Sequence, residues 1–282
     1  MRKGYLLPIL IAPLLLFGNS IIRFFSTQKV IATITDDRLV EVSGLEESYK
    51  NPGYFWTHND SGSDPVLYLI NRYGDIKLEV VLSGVENRDW EEIITIKKGD
   101  RSFIYVAEIG DNRAVHDYVS LICLEEPAFS GNPIIEIDQL KVMNFKYAEG
   151  ARDAEAMLYD YYSDEFVLVT KREEKPLVYS FKFEESDSPK TIKSLGTVPG
   201  KLYTAADMND EGEILLKHYG AIYYWSSSEG KAADRILEWN PVSIDYVPEP
   251  QGEAICWVNR NFYTISEKNR GKPQEMLFFK RL

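Results

Sequence analysis

A short acid-centred motif recurs five times along this chain and narrows the folds open to it more than anything else in the sequence. Its clearest copy is Arg152-Asp153-Ala154-Glu155-Ala156-Met157-Leu158. Trp90-Glu91-Glu92-Ile93, Gly252-Glu253-Ala254-Ile255 and, more loosely, Ala206-Asp207-Met208-Asn209 repeat its centre, and Ser43-Gly44-Leu45 fits the same register with serine in place of the acid. Each copy opens a run with strand character. A second run richer in Val, Ile, Tyr and Phe follows each, at 54–58, 103–108, 166–171, 213–218 and 261–267. A small sheet cannot bury both faces alone, so five such units predict radial stacking in an all-β, five-bladed β-propeller. Six blades are the alternative if the long second unit hides a degenerate one.

The order of the chain supports this count. Residues 28–282 read as one domain, with a lone strand at 30–34 standing before the first unit. The last unit has only three strands, so strand 30–34 is expected to supply its fourth and close the ring, which removes exposed sheet edges. Fourth strands are expected near 191–198 in unit three and 235–239 in unit four, and unit two carries a Pro- and Gly-rich insertion at 125–137.

With 282 residues, 44% of them hydrophobic, the chain is long enough for a full core. Aromatics at 13%, including 18 Tyr, favour strands. A formal charge of −12 argues against a nucleic-acid partner, because phosphate backbones demand a basic face. The same acidity suits cation binding or plain solubility. No Gly-rich phosphate loop, zinc-type Cys/His spacing or Gly-x-Ser-x-Gly elbow is present.

Residues 1–27 read as an export segment. Arg2 and Lys3 precede an apolar run from Tyr5 to Phe17, as in a signal peptide, with Phe17-Gly18-Asn19-Ser20 as a weak cleavage site. Taken as one piece, residues 4–25 are also long enough for a membrane-spanning helix of about 20 residues. Both readings place the protein in the periplasm, the cell envelope or outside the cell, with membrane contact only through this segment. Cys123 and Cys256 fall on different units and are expected as buried free thiols.

In a propeller the first strand of each blade lines the central channel, so the starts of those strands meet the ends of the second strands at one mouth. The first set supplies Ser43, Glu91, Glu155, Asp207 and Glu253. Carboxylates converging on one axis repel unless a cation or protons intervene. Hard oxygen donors point to Ca2+, with Mg2+ less favoured. The competing reading is that the acids hydrogen-bond neighbouring backbone and hold no metal. The second set supplies His58-Asn59-Asp60, Gly110-Asp111-Asn112 and the cations Lys171, Arg172, Lys217 and Lys268. Those cations either hold an anionic substrate or neutralise the axial acids. His58 and Asp60 are the candidates for proton transfer, although a histidine beside an Asn-Asp turn is commonly structural.

Val42-Ser43-Gly44-Leu45, the run from Phe55 to Gly62, Asp89-Trp90-Glu91-Glu92-Ile93 and Ile109-Gly110-Asp111-Asn112 together resemble exported bacterial β-propellers of the phytase-like or esterase-like group. The likeness is strongest over residues 42–113 and implies fold and export more than activity. More distantly the chain is similar to calcium-activated nucleotidases, which are five-bladed, and to gluconolactonase-like propellers. The latter hold one metal with Glu, Asn and Asp, which by analogy adds Asn59 and Asp111 to Glu253 as ligands. The expectation is therefore an exported, cation-dependent hydrolase of a small anionic substrate, a phosphate ester or nucleotide, acting as a monomer. The alternative is a non-catalytic envelope propeller that binds a ligand or protein, with 125–137 as a contact loop.

Overall fold

The computed structural model describes residues 24–282. Five sheets surround a common axis, and their innermost strands pack against one another in a closed ring. The chain opens with β1 (Lys29–Ile34). Blade 1 follows as β2 (Val42–Glu47), β3 (Tyr54–Asn59), β4 (Val66–Asn71) and β5 (Ile76–Leu82). Blade 2 comprises β6 (Trp90–Lys98), β7 (Arg101–Glu108), β8 (Val119–Glu125) and, after β9 (Ile134–Ile137), β10 (Lys141–Tyr147). Blade 3 comprises β11 (Ala154–Asp160), β12 (Glu165–Thr170), β13 (Leu177–Phe181) and, after β14 (Ser186–Ile192), β15 (Gly196–Thr197). Blade 4 is β16 (Tyr203–Met208), β17 (Ile214–His218), β18 (Ala221–Trp225) and, past the helix α1 (Ala232–Glu238), β19 (Val242–Ser243). Blade 5 is β20 (Gly252–Val258), β21 (Asn261–Ser266) and β22 (Gln274–Phe279), with β1 paired antiparallel to β22. The five-bladed ring and its closure by the first strand are as the repeat pattern predicts.

Among the described residues the apolar core is five clusters, one at each blade junction. Alternation along each strand sends one set of side chains to each neighbouring blade, so every sheet is apolar on both faces. Cys123 and Cys256 lie buried and unpaired in two different clusters.

Three expectations need correction. Residues 235–239 are not a strand. Ala232, Ala233 and Ile236 have helical spacing and bury one face, so the segment forms α1 instead. Asp160 of blade 3 accepts the Ala232 N–H at 2.9 Å, and Arg235 anchors the helix to the carbonyls of Gly212 and Ser226 at 2.7 and 2.6 Å. The stretch expected as one strand at 191–198 is divided. Its first part belongs to β14, which pairs parallel to β10 on blade 2, and only β15 completes blade 3. The insertion at 125–137 is not wholly loop, because β9 adds a parallel strand to the outer edge of β5. Both additions cover edges that would otherwise be open.

The expected leader lies outside the described residues except for 24–27. There Phe25 is buried between blades 4 and 5, against Tyr224, Trp257 and Phe262, and Arg281 sits over the rings of Phe24 and Phe25. The propeller therefore includes residues before 28. Among the described residues no helix is long and apolar enough to cross a membrane.

Candidate functional site at the channel mouth

All five inner strands carry a register break at the same place. The pairing with the second strand skips from Val42 to Gly44, Trp90 to Glu92, Ala154 to Ala156, Tyr203 to Ala205 and Gly252 to Ala254. The extra residues are Ser43, Glu91, Glu155, Thr204 and Glu253. A β-bulge re-aims a side chain and tightens the local twist. Here the bulges form a five-membered ring at the end of the channel where the inner strands begin. The residue after each bulge is small, except Glu92. Gly44 shows why on blade 1, since a Cβ there would lie 2.5 Å from the His58 Nε2.

Three of the five bulge residues are buried glutamates, and each keeps one oxygen without a partner. Ser43 Oγ donates to Glu91 Oε2 at 3.0 Å, leaving Oε1 unpaired and buried. Lys171 pairs with Glu155 Oε1, leaving Oε2. Tyr219 donates to Glu253 Oε1 at 2.6 Å, leaving Oε2. Lys171 also donates to the Tyr219 hydroxyl at 3.1 Å, so Glu155, Lys171, Tyr219 and Glu253 form one chain across blades 3, 4 and 5.

Two aspartates before the bulges extend the group. Ligand atoms of Asp60, Asp89 and Glu91 lie within 4.8 Å of one another, and so do those of Glu91, Asp153 and Glu155. Glu91 belongs to both triads. Asn87 sets this geometry by donating to the Asp60 carbonyl at 3.0 Å while accepting the Trp90 N–H at 3.1 Å. Gly110 crosses directly over Asp89 and Glu91, where any Cβ would strike both carboxylates. Asp89 Oδ1 is likewise buried without a partner.

Electrostatics follows from this crowding. Burial, and then the neighbouring Asp89, push Asp60 up to about 7. Burial and the charges of Glu155, Asp60 and Asp89 hold Glu91 well above the usual range, and burial does the same to Glu155 despite Lys171. Burial, reinforced by Glu253 and Asp60, lifts Glu267 to about 7. For Lys171, burial alone would favour the neutral amine, but Glu155 and Glu253 more than offset it and keep the ammonium charged.

Other predicted residues have different surroundings. Asp207 is not brought to this mouth. It lies three residues past the blade 4 bulge, at the opposite end, grouped with Glu46 and Cys256. There it accepts the N–H groups of Met208 and Trp257, each at 2.6 Å, beside a cavity of about 160 Å³ lined in part by Tyr49, Tyr161 and Asp210. Thr204 takes the ring position instead, donating to the Gly252 carbonyl at 3.1 Å. The amide of Asn59 is taken up by the Arg38 carbonyl at 2.7 Å and the Glu41 N–H at 3.1 Å. Asp111 caps the N–H groups of Val115 and His116 at 2.9 and 2.8 Å, while its own N–H reaches Asp153 at 2.9 Å.

His58 is fully buried in the channel wall, edge-on to Trp90, and burial depresses its imidazole to about 4. Lys217 is enclosed beneath Gly252, whose carbonyl it binds, with its ammonium 5.4 Å from the Tyr246 ring centre. Arg172 pairs with Asp153, and Lys268 pairs with Asp37 on the exposed rim at 2.7 Å. Sequence reasoning missed Asp89, Asp153 and Tyr219 as members of the site. Asp89 and Asp153 each stand two residues before a bulge glutamate, a spacing visible in the motif copies.

Fold and mouth together define a five-bladed β-propeller with a buried carboxylate ring at one end of its channel. No protein-family profile matches the chain, and a search of curated proteins finds no match. Among solved structures it is similar to a Thermus thermophilus protein described as a glucose dehydrogenase, with a TM-score of 0.50 and 8% identity over 91% of this chain and 100% of that one. It is also similar to a gluconolactonase from Xanthomonas campestris, with a TM-score of 0.49 and 8% identity over 87% and 88% of the two chains. A luciferin-regenerating enzyme gives 0.45 and 11%, over 91% and 95%. At these identities the likeness is one of fold.

Proposed function

We propose that this protein is an exported hydrolase that depends on a divalent cation at the acidic mouth and acts on a small anionic substrate, a phosphate ester or nucleotide. One observation carries the reading. Asp89, Glu91, Glu155 and Glu253 each leave a buried carboxylate oxygen without a partner around one mouth. Buried polar atoms are ordinarily satisfied, so several unsatisfied acceptors of one charge call for a cation. The donors are all hard oxygens, which suits Ca2+ ahead of Mg2+. Asp60, Asp89, Glu91, Asp153 and Glu155 would hold it, and it would polarise the substrate and lower the pKa of an attacking water. Glu155 released from Lys171 would free that ammonium for the substrate's anionic group, with Arg172 beside it.

The test is a calcium titration by calorimetry with Glu91→Gln and Glu155→Gln, followed by a phosphoester screen. The expected result is binding weakened about tenfold or more in each folded variant, with loss of turnover. Unchanged calcium binding in both variants would remove the cation site and the hydrolase with it.

The pairing of Lys171 with Glu155 and of Arg172 with Asp153 favours a second reading, since the cations already have acid partners. Under it the protein is a non-catalytic envelope propeller with a structural cation. Cation-dependent folding without turnover of any phosphoester or lactone supports that outcome.

A further inference from the structure

We propose that the far end of the propeller, opposite the mouth, is a seat on the surface of a lipid bilayer, so that membrane contact extends beyond the N-terminal segment. Every inner strand begins at the mouth, so the turns after β2, β6, β11, β16 and β20 all lie at the far end. Among the described residues the exposed aromatic rings are Tyr49, Tyr73, Tyr118, Phe129 and Tyr162. All but Tyr118 stand at the far end. Tyr49 and Tyr162 come just after β2 and β11 and are 44% and 60% exposed. Phe129 comes after β8, held by its N–H donating to Asn51 Oδ1 at 2.7 Å. Tyr73 lies in the β4–β5 turn, where Arg72 covers one face of the ring and still leaves the residue exposed. Exposed Val242 on blade 4 and Leu282 after blade 5 complete the set.

Two observations select a bilayer as the partner. The exposed rings and apolar side chains come from all five blades, so they are spread round a whole face, which suits a planar surface. Tyrosine, with an apolar ring and a polar tip, is the side chain that settles at a membrane–water boundary. Exposed Lys50 and Lys280 share this end with exposed Asp210 and Glu211, so the contact rests on the rings and does not need anionic lipid. The second observation is where the chain enters the body. The Leu282 N–H donates to the Phe24 carbonyl at 3.1 Å, and β1 starts opposite Phe278 near the end of β22, so residues 24–29 lie at the far end. Only residues 18–23 separate Phe24 from the apolar run Tyr5–Phe17, and a stretch of that length spans at most ~20–25 Å. With that run in a bilayer, the face that carries the rings is the face held against it, and the acidic mouth opens toward water. The seat stands whether or not the mouth is catalytic.

The test uses the full chain in phosphatidylcholine nanodiscs whose headgroups carry a nitroxide quencher. One fluorophore is attached through Ser130→Cys or Ser228→Cys at the far end, or through Arg113→Cys at the mouth; all three positions are exposed, and the native Cys123 and Cys256 are buried. The longest inner strand has 9 residues, so the two ends stand about 30 Å apart. The quencher is expected to remove most of the fluorescence of both far-end labels and little from the label at the mouth. Phe129→Ser alone should restore part of the far-end signal. Combined with Tyr49→Ser and Tyr162→Ser, it should restore most of it at an unchanged circular dichroism spectrum, because the tether remains but the seat is lost. Equal quenching at the two ends overturns the proposal. So does full far-end quenching in the folded variants, which would assign the contact to the N-terminal segment alone. Far-end labels that self-quench with rising protein concentration and ignore the nitroxide would give the face to a second copy of the chain, and that also overturns it.

Discussion

Glu92 Oε2 of blade 2 accepts the backbone N–H of Ala206 on blade 4 at 3.3 Å, reaching across the channel between two blades that are not neighbours. Glu92 follows the blade 2 bulge, where the other blades have Gly or Ala, and its other oxygen accepts the Ile93 N–H at 3.1 Å. One side chain thus bridges the lumen between the acidic mouth and the group around Asp207. Burial holds the Glu92 carboxyl well above the usual range, so its neutral form is favoured.

Glu92→Ala should therefore destabilise the protein by about 1–3 kcal/mol, because the Ala206 N–H loses its cross-channel acceptor. Glu92→Gln keeps the shape and an amide oxygen and should cost much less. Urea denaturation midpoints of the two variants, at unchanged slope, provide the comparison.

Lys171→Met removes the ammonium from Glu155 and leaves a buried carboxylate beside Glu91 and Asp153. Breaking a buried pair in this way costs about 3–5 kcal/mol. If the mouth takes up calcium, most of that loss should return when calcium is added, since the cation replaces the missing charge. Chemical denaturation with and without calcium measures both effects.

The pH dependence has a definite sign. Asp60 and Glu267 are each raised to about 7, from unfolded values of about 4, so the folded protein binds more protons between those limits. Their stabilisation is fully present below about pH 4 and is lost as pH rises toward and through 7. In cation-free buffer the melting temperature should fall between pH 5 and pH 8, and calcium should flatten that decline. A melting temperature that rises over this window would contradict the crowding of acids at the mouth.

Phe25 fills the junction of blades 4 and 5, and Phe25→Ala should cost about 3–5 kcal/mol. A chain beginning at residue 28 should melt lower than one beginning at residue 24 by a comparable margin. Equal melting temperatures would show that the two phenylalanines contribute nothing to the body.

Blade count, closure by β1 and the end of the channel at which Glu91, Glu155 and Glu253 gather were all legible in the one-dimensional pattern. They follow from alternation and from the spacing of a repeated motif, both of which are local. That pattern did not reveal that residues 235–239 turn into a helix, because the cap from Asp160 and the anchors at Gly212 and Ser226 come from distant parts of the chain. Nor did it reveal that Asp207 belongs to the far end while Thr204 holds the ring position. A single skipped residue in each inner strand decides which side chain faces the mouth, and register in a strand is settled by the partner it pairs with. On blade 4 the pairing of Tyr203 with His218 and of Ala205 with Lys217 settles that register, and with it the membership of the site, through contacts that exist only once the sheet has formed.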